Sequence, residues 1–176
     1  DILRGDDDVV ADQVGNELDQ AGIAMVAGLA ALLPTGATSF SGGNILIGGP
    51  GSDTLEGKGG DDLIDADVWF NVQLSAAGQL YDSLNSPPVG GPTEQSLRER
   101  VFAGTVDPGT IEIVRSIVVS PGTGFNDIAV FSGPRAEYTI AAPPTGLSVT
   151  HTGGTAADGV DSLRNIERLR FADGLV

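Results

Sequence analysis

The chain has 176 residues, among them 26 Gly and no Cys, and its net charge is −15. Without thiols it can form no disulfide, no thiolate zinc site and no cysteine nucleophile. The excess of acid argues against nucleic acid and anionic membranes as partners, because both require clustered Lys and Arg. Apolar residues make up 40% of the chain, enough for a packed core. A chain of this composition is suited to attract cations.

The first 38 residues are expected to form an acidic, partly helical segment. The acids Asp6 to Asp8 are interpreted as a solvated face. The apolar run from Ala21 to Leu33 is shorter than the roughly 20 residues that span a bilayer, so it predicts a buried helix and no membrane span. Pro34 ends this helix. Its apolar face would contain Leu18, Ala21, Met25, Gly28, Leu29 and Leu32. The chain starts with Asp and shows no signal-peptide pattern, so we expect a piece of a longer protein.

The acidic residues are concentrated in the first part of the chain. Residues 1–70 contain 13 Asp and Glu against Arg4 and Lys58, whereas residues 71–176 contain 11 against seven Arg. The second cluster of acids coincides with a nine-residue repeat, in which Asp53 of one copy aligns with Asp62 of the next. The same register aligns Gly48 with Gly57, Gly51 with Gly60, and Leu55 with Ile64. An earlier, degenerate copy places Gly42, Asn44 and Leu46 at equivalent positions.

This repeat matches the nonapeptide G-G-x-G-x-D-x-U-x, in which U is a large apolar residue. The first six residues of each copy predict a tight turn, whose left-handed positions favour Gly. The last three predict a short strand that points one apolar side chain into the core: Leu46, Leu55 or Ile64. Stacked turns of this kind bring backbone carbonyls and carboxylates together around a gap. Calcium suits such a gap, because it takes 6 to 8 oxygen ligands at about 2.3 to 2.6 Å.

The repeat resembles the hemolysin-type (RTX) calcium-binding repeats. That resemblance implies a short parallel β-roll over residues 39–71, in which an ion lies between one turn and the next but one. Turn 39–44 would then face turn 57–62. The implied ligands there are the carbonyls of Gly42, Gly57 and Gly59 and the side chains of Asn44 and Asp62. One or two calcium ions are expected.

Turn 48–53 would lie on the other side of the roll. Its partner by register, 66–71, has no Gly, so this second site requires Asp65, Asp67 or a distant loop to complete it. The full set of candidate metal-binding residues over both sides is Gly42, Asn44, Gly48, Gly49, Gly51, Asp53, Gly57, Gly59, Asp61, Asp62, Asp65 and Asp67.

Other uses of a glycine-rich segment fit less well. A dinucleotide fingerprint needs a third Gly and a following helix, and a phosphate loop needs Ser or Thr after Lys58, where the chain has Gly59. The negative charge of the segment would also repel phosphate. Glycine–aspartate turns that bind no metal remain the purely structural alternative.

Residues 72–176 are predicted to form a β-rich C-terminal region. Strands are expected at 67–75, 111–119, 128–131, 138–141 and 147–152, with the single Trp69 in the core. Residues 85–92 predict a loop, and Thr93 is expected to cap a short helix that ends at Phe102. The predicted fold is therefore mostly β, with a short parallel β-roll joined to further strands and one or two short helices.

The C-terminal part carries a second resemblance. Segments 127–133, 138–140 and 159–174 are similar to a tail that follows such repeats in large secreted bacterial proteins. The order of segments, 44–71 followed by Asp107-Pro108-Gly109, resembles the C-terminal extension of bacterial haem peroxidases of the animal type. A haem peroxidase usually requires a proximal and a distal His. The chain contains only His151, interpreted as an ordinary surface or strand residue, so haem is expected only in the parent protein.

These features together predict a calcium-binding structural or secretion module of a secreted bacterial protein, exported by type I secretion. Its expected partners are calcium ions and other domains of a larger parent chain. The alternatives are part of a haem peroxidase and a module that cleaves itself at Asp107–Pro108, where a plain turn is the simpler interpretation. An adhesive, sugar-binding module would need exposed aromatics, and the chain has only nine aromatic residues.

Overall fold

The computed structural model describes residues 1–5, 18–91, 95–120 and 124–176, and this part of the chain is mostly β, as predicted. The acids Asp6 to Asp8 and the expected cap Thr93 lie outside the described residues. The strands are β1 (Ile2–Arg4), β2 (Ile45–Ile47), β3 (Thr54–Glu56), β4 (Leu63–Asp65), β5 (Val68–Ala76), β6 (Gln79–Tyr81), β7 (Glu112–Val119), β8 (Ile128–Val130), β9 (Tyr138–Ala141), β10 (Leu147–His151), β11 (Val160–Arg164), β12 (Arg168–Phe171) and β13 (Gly174–Leu175). The helices are α1 (Gln20–Ala24), α2 (Leu29–Leu32) and α3 (Leu97–Phe102).

Two five-stranded sheets enclose the main core. The first sheet has the order β1-β3-β8-β12-β13, and the second has the order β2-β4-β11-β10-β9. In the first sheet the strands β1, β3, β8 and β12 are parallel, and in the second sheet β2, β4 and β11 are parallel. Strands β2, β3 and β4, which follow one another every nine residues, alternate between the sheets. Strands from before and after the repeat therefore complete both sheets.

The inward positions of the repeat are those that the sequence predicts. Leu46, Leu55 and Ile64 are 6%, 0% and 1% exposed and belong to one core cluster. In the first sheet Leu55 lies beside Leu3 and Ala129, and in the second Ile64 lies beside Leu46 and Leu163. Full burial of each large apolar side chain contributes about 1.5 to 3 kcal/mol, so this core is a principal source of stability.

The strand predicted after the repeat is confirmed as β5, which belongs to a separate three-stranded sheet of order β6-β5-β7. Strands β5 and β7 pair antiparallel from Val68 opposite Val119 to Ser75 opposite Glu112. The prediction that Trp69 lies in the core is wrong, because its side chain is 38% exposed while that of Val68 is buried. Successive side chains of a strand point to opposite faces, and the core takes Val68.

The prediction of one continuous buried helix from Ala21 to Leu33 is wrong, because the structure has two short helices there, α1 and α2. Gly28 has a left-handed φ of +86° between them, which interrupts the helical path. Met25 is 64% exposed, whereas Leu29 and Leu32 are buried against residues of the second sheet. Among the described residues, no helix is long and apolar enough to cross a membrane.

Helix α3 ends at Phe102, as predicted, but it begins after Ser96. The Ser96 side chain accepts a hydrogen bond from the Glu99 N–H, and the Glu99 carboxylate accepts one from the Ser96 N–H at 2.8 Å. This reciprocal arrangement is a capping box, which satisfies donors that the first turn of a helix leaves unpaired.

Candidate cation-binding sites

The structure brings together the two turns that the repeat register places face to face. Strands β2 and β4 are parallel neighbours, so turn 39–44 lies beside turn 57–62. The Asp61 N–H donates to the Gly42 carbonyl at 3.1 Å, and the Asn44 N–H donates to Asp62 Oδ1 at 2.6 Å. These contacts join the two turns through one carbonyl and one carboxylate oxygen.

Glycine is required in these turns because oxygen atoms approach the backbone closely. A Cβ on Gly43 would overlap the Asp61 carbonyl, and a Cβ on Gly57 would overlap the Asp62 carboxylate. Gly60 also has a left-handed φ of +102°. The repeated glycines thus allow oxygens to approach the turns more closely than a side chain would permit.

A second buried acid, Asp161, lies next to Asp62. Strand β11 is the parallel neighbour of β4, and the Asp62 N–H donates to Asp161 Oδ1 at 2.9 Å. Both side chains are buried. Burial, followed by the nearby charges of Asp62, Asp158 and Asp61, raises the pKa of Asp161 to about 8. Two adjacent buried carboxylates carry a cost that a proton or a cation can offset.

The first sheet contains a matching row of acids at its strand starts. The Asp1 nitrogen donates to Asp53 Oδ1 at 2.7 Å, and the Asp53 N–H donates to Asp127 Oδ1 at 2.6 Å. The Asp127 N–H in turn donates to Glu167 Oε2 at 2.7 Å. We call these residues, Asp1, Asp53, Asp127 and Glu167, the first-sheet ladder. Burial raises the pKa of Asp127, and the charges of Glu167, Asp67 and Asp53 raise it further.

Three carboxylate oxygens near this ladder are buried without a hydrogen-bond partner among the described residues. They are Asp53 Oδ2, Asp127 Oδ2 and Asp67 Oδ1. Burial raises the pKa of Asp67 as well, followed by the charges of Glu167, Asp65 and Asp53. An unpaired buried acceptor typically costs about 1 to 3 kcal/mol, and more when it is charged. These oxygens are therefore the strongest candidates for contact with a cation.

The remaining predicted site residues differ in their surroundings. Asp61 is exposed and accepts a hydrogen bond from the Val160 N–H at 2.9 Å. Asp65 is buried, and its Oδ1 accepts from the Asn165 amide at 2.7 Å, which gives it a structural role. Gly49 and Gly51 have left-handed φ values of +90° and +128°, as their turn requires. Gly48 and Gly59 lie in the turns of the first and second sheet, respectively.

No three His, Asp or Glu side chains in the described ranges lie close enough to share one metal ion. A cation in either turn region would therefore be bound by one or two carboxylates together with backbone carbonyls and water. Calcium commonly uses such mixed sets of oxygen ligands.

Sequence reasoning missed Asp127, Asp161 and Glu167. A weak signal was present for two of them, because Asp127 and Asp161 each stand two residues before an inward side chain, as Asp53 does. Gly159 also precedes Asp161 by two residues, as Gly60 precedes Asp62. The inserted segments between these strands hide the nine-residue spacing.

His151 is the last residue of strand β10, so of the two predicted alternatives, a surface or a strand residue, the strand residue is confirmed; its side chain is only 5% exposed. Its Nδ1 accepts from the Asp158 N–H at 3.3 Å, and its Nε2 lies 3.3 Å from the Glu137 carboxylate. Tyr138 stacks on its ring and donates to Asp158. Burial, followed by the bond to Asp158, raises the pKa of Tyr138 to about 12. The imidazole is therefore engaged at both nitrogens in a structural cluster.

The Asp107–Pro108 bond lies in a turn. Asp107 Oδ1 accepts from the Gly109 N–H at 2.8 Å, and the Asp107 carbonyl accepts from the Thr110 N–H at 3.0 Å. Residues Pro108–Thr110 form a single 3₁₀ turn. This geometry agrees with the plain turn that the sequence predicts.

Comparisons with known proteins do not assign the chain to a family. No protein-family model, curated protein or solved structure matches it.

Proposed function

We propose that this chain is a calcium-binding structural module whose folding is stabilised by ions bound between glycine–aspartate turns. The observation that carries the proposal is the pair of buried neighbouring acids Asp62 and Asp161, beside the facing turns 39–44 and 57–62. Gly57 admits the Asp62 carboxylate where any side chain would exclude it. Carboxylate and carbonyl oxygens together are a ligand set that calcium takes.

A short parallel β-roll is the proposed architecture of the repeat. The support is the alternation of β2, β3 and β4 between two sheets, with Leu46 in register with Ile64. In this arrangement one ion gap opens on the side of turns 39–44 and 57–62, as in the RTX repeats that the sequence resembles. Strands β1, β8, β11 and β12 extend the same two parallel stacks beyond the repeat.

The proposed mechanism is linkage between metal binding and folding. Without ions, the repulsion between the carboxylates in the turns lowers the stability of the folded chain. Bound ions attract these carboxylates, so ion binding stabilises the folded chain. Free calcium is low in the bacterial cytosol, so the module would remain loosely folded until export. Outside the cell it would bind calcium and become rigid. We propose on this basis that the parent protein is secreted through a type I system.

Calorimetric titration of calcium into the chain and into Asp62→Ala tests the proposal. Titration of wild type is expected to give a heat change on calcium binding. The variant is expected to lose the site between the facing turns, because a carboxylate ligand is removed. Asp82→Ala, an exposed acid outside both turn regions, is the matched control and should bind like wild type. Equal binding by all three proteins would refute this assignment.

The two enzymatic alternatives have less support. The engaged nitrogens of His151 leave no free imidazole nitrogen for haem, so a peroxidase role would have to come from elsewhere in a parent chain. The Asp107 carboxylate is occupied by the Gly109 N–H. A Soret band on addition of haem would support the first alternative, and a calcium-induced fragment on a gel would support the second.

A further inference from the structure

We infer a second binding function, in which one face of the three-stranded sheet β6-β5-β7 binds an uncharged, extended polysaccharide. This face consists of alternate residues of β5 and the β7 residues that lie opposite them. We call it the Trp69 face, and its members are Trp69, Asn71 and Gln73 on β5 and Val118, Ser116 and Val114 on β7. The inference uses none of the residues proposed to bind calcium, so it does not depend on the proposed function.

The members of the Trp69 face share one side of the sheet because of the strand register. Side chains two residues apart on a strand point the same way, and residues directly opposite each other in an antiparallel pair lie on the same side. Trp69 is opposite Val118, Asn71 is opposite Ser116, and Gln73 is opposite Val114. The three side chains of β5 therefore form a straight row with a spacing of about 7 Å.

Trp69 is the aromatic member of the row. It is the single Trp of the chain, and it is 38% exposed. Its Cβ lies 3.7 Å from the position that a Cβ on Gly49 would take, so the base of the side chain rests against turn 48–53. An indole presents a flat apolar surface and one N–H donor. The CH groups of a sugar ring can stack on that surface while a sugar hydroxyl accepts from the N–H.

The polar members of the face are uncharged and have groups available for a ligand. Asn71 and Ser116 are partly exposed, and their side chains have no hydrogen-bond partner among the described residues. Gln73 donates from Nε2 to Asp82 Oδ1 at 2.8 Å, which fixes the amide and leaves its carbonyl oxygen as an acceptor. Amides and hydroxyls both donate and accept hydrogen bonds. The row therefore offers the groups that sugar hydroxyls bind.

The charge distribution selects the class of ligand. Residues 68–81 contain no Asp, Glu, Lys or Arg, although the chain has 24 acids and nine bases. On β7, Arg115 is opposite Val72 and so belongs to the other side of the sheet. The Trp69 face offers a charged ligand no ion pair, and a net charge of −15 repels polyanions. A neutral polysaccharide needs no ion pair, and the straight row suits an extended chain such as β-1,4-linked glucose.

Calorimetric titration of cellohexaose into the full chain, with calcium present, tests the inference. Trp69→Ala should weaken binding at least about tenfold, as expected for the loss of an aromatic anchor. Phe70→Ala is the matched control, because Phe70 is an exposed aromatic neighbour on the opposite side of the sheet, and it should bind like wild type. Circular dichroism checks that each variant folds. Asn71→Ala, expected to weaken binding about fivefold, decides the test if Trp69→Ala does not fold.

A hexamer of galacturonic acid, which is anionic, should not bind, and preferred binding of this hexamer would overturn the assignment to an uncharged ligand. Absence of cellohexaose binding by wild type, or an equal loss in Trp69→Ala and Phe70→Ala, would overturn the inference. A concentration-dependent dimer that Trp69→Ala abolishes, without sugar binding, would also overturn it and assign the face to a second copy of the chain. Calcium titration of Asp62→Ala involves other residues, so each proposal can fail alone.

Discussion

Replacing Asp161 with Asn is expected to stabilise the ion-free protein near neutral pH. The pKa of this acid in the folded chain is raised from 3.8 to about 8, by burial first and by the neighbouring carboxylates second. A folded-state pKa above the unfolded value gives stability that is complete below about pH 4 and is lost as pH rises towards 8. Asn cannot ionise, so the variant should escape this loss.

The expected size follows from the same shift. A pH of about 7 lies roughly three units above the pKa of Asp161 in the unfolded chain. Over those units wild type loses about 4 kcal/mol of unfolding free energy. The Asn amide introduces donors that lack a defined partner at this buried position, at a cost of about 1 to 3 kcal/mol. The net gain should therefore be roughly 1 to 3 kcal/mol, because Asn keeps the acceptor for the Asp62 N–H.

Denaturant unfolding in chelator, at about pH 5 and about pH 7.5, measures this effect. Wild type should be less stable at the higher pH, and the difference should shrink in Asp161→Asn. The exposed acid Asp173 supplies a control, since Asp173→Asn should follow wild type at both values. Equal destabilisation of the variant at both pH values would show that ionisation of Asp161 does not lower the stability of the folded chain.

Three further variants test the core, the α3 cap and the turns. Leu55→Ala, in a fully buried position, should lose about 2 to 5 kcal/mol of unfolding free energy, and a loss below about 1 kcal/mol would contradict its place in the core. Ser96→Ala should cost about 0.5 to 2 kcal/mol in the same assay, because it removes one half of the capping box with Glu99; no loss would argue against the cap. Gly43→Ala should lower the melting temperature strongly, since its Cβ would overlap the Asp61 carbonyl, and a melting temperature equal to that of wild type would show that the turns are not in close contact.

The features that the sequence predicts correctly depend on local register. Strands β2, β3 and β4 and their inward residues follow from a nine-residue period that is complete within the repeat. The contact between turns 39–44 and 57–62 follows from the same period. The predicted position of α3 is close to the observed one for a similar reason, because Leu97 and Val101 lie one turn apart on a single helical face.

The features that it misses depend on pairing over long distances or on local backbone geometry. Asp127 and Asp161 meet Asp53 and Asp62 across 74 and 99 positions, and the weak local signal at these two acids does not give the register of that pairing. The apolar spacing favoured one continuous helix, but α1 ends at Ala24 and α2 begins after Gly28, whose left-handed φ does not continue a helix.

Thermal unfolding of the full chain in calcium, in magnesium and in chelator measures whether calcium binding stabilises the fold. A calcium concentration 100 times the dissociation constant stabilises a one-site protein by about 2.7 kcal/mol. For a chain of this size that corresponds to a rise in melting temperature of about 5 to 10 °C per site. We expect such a rise in calcium and little change in magnesium. Equal melting temperatures in calcium and in chelator would show that calcium does not stabilise the fold.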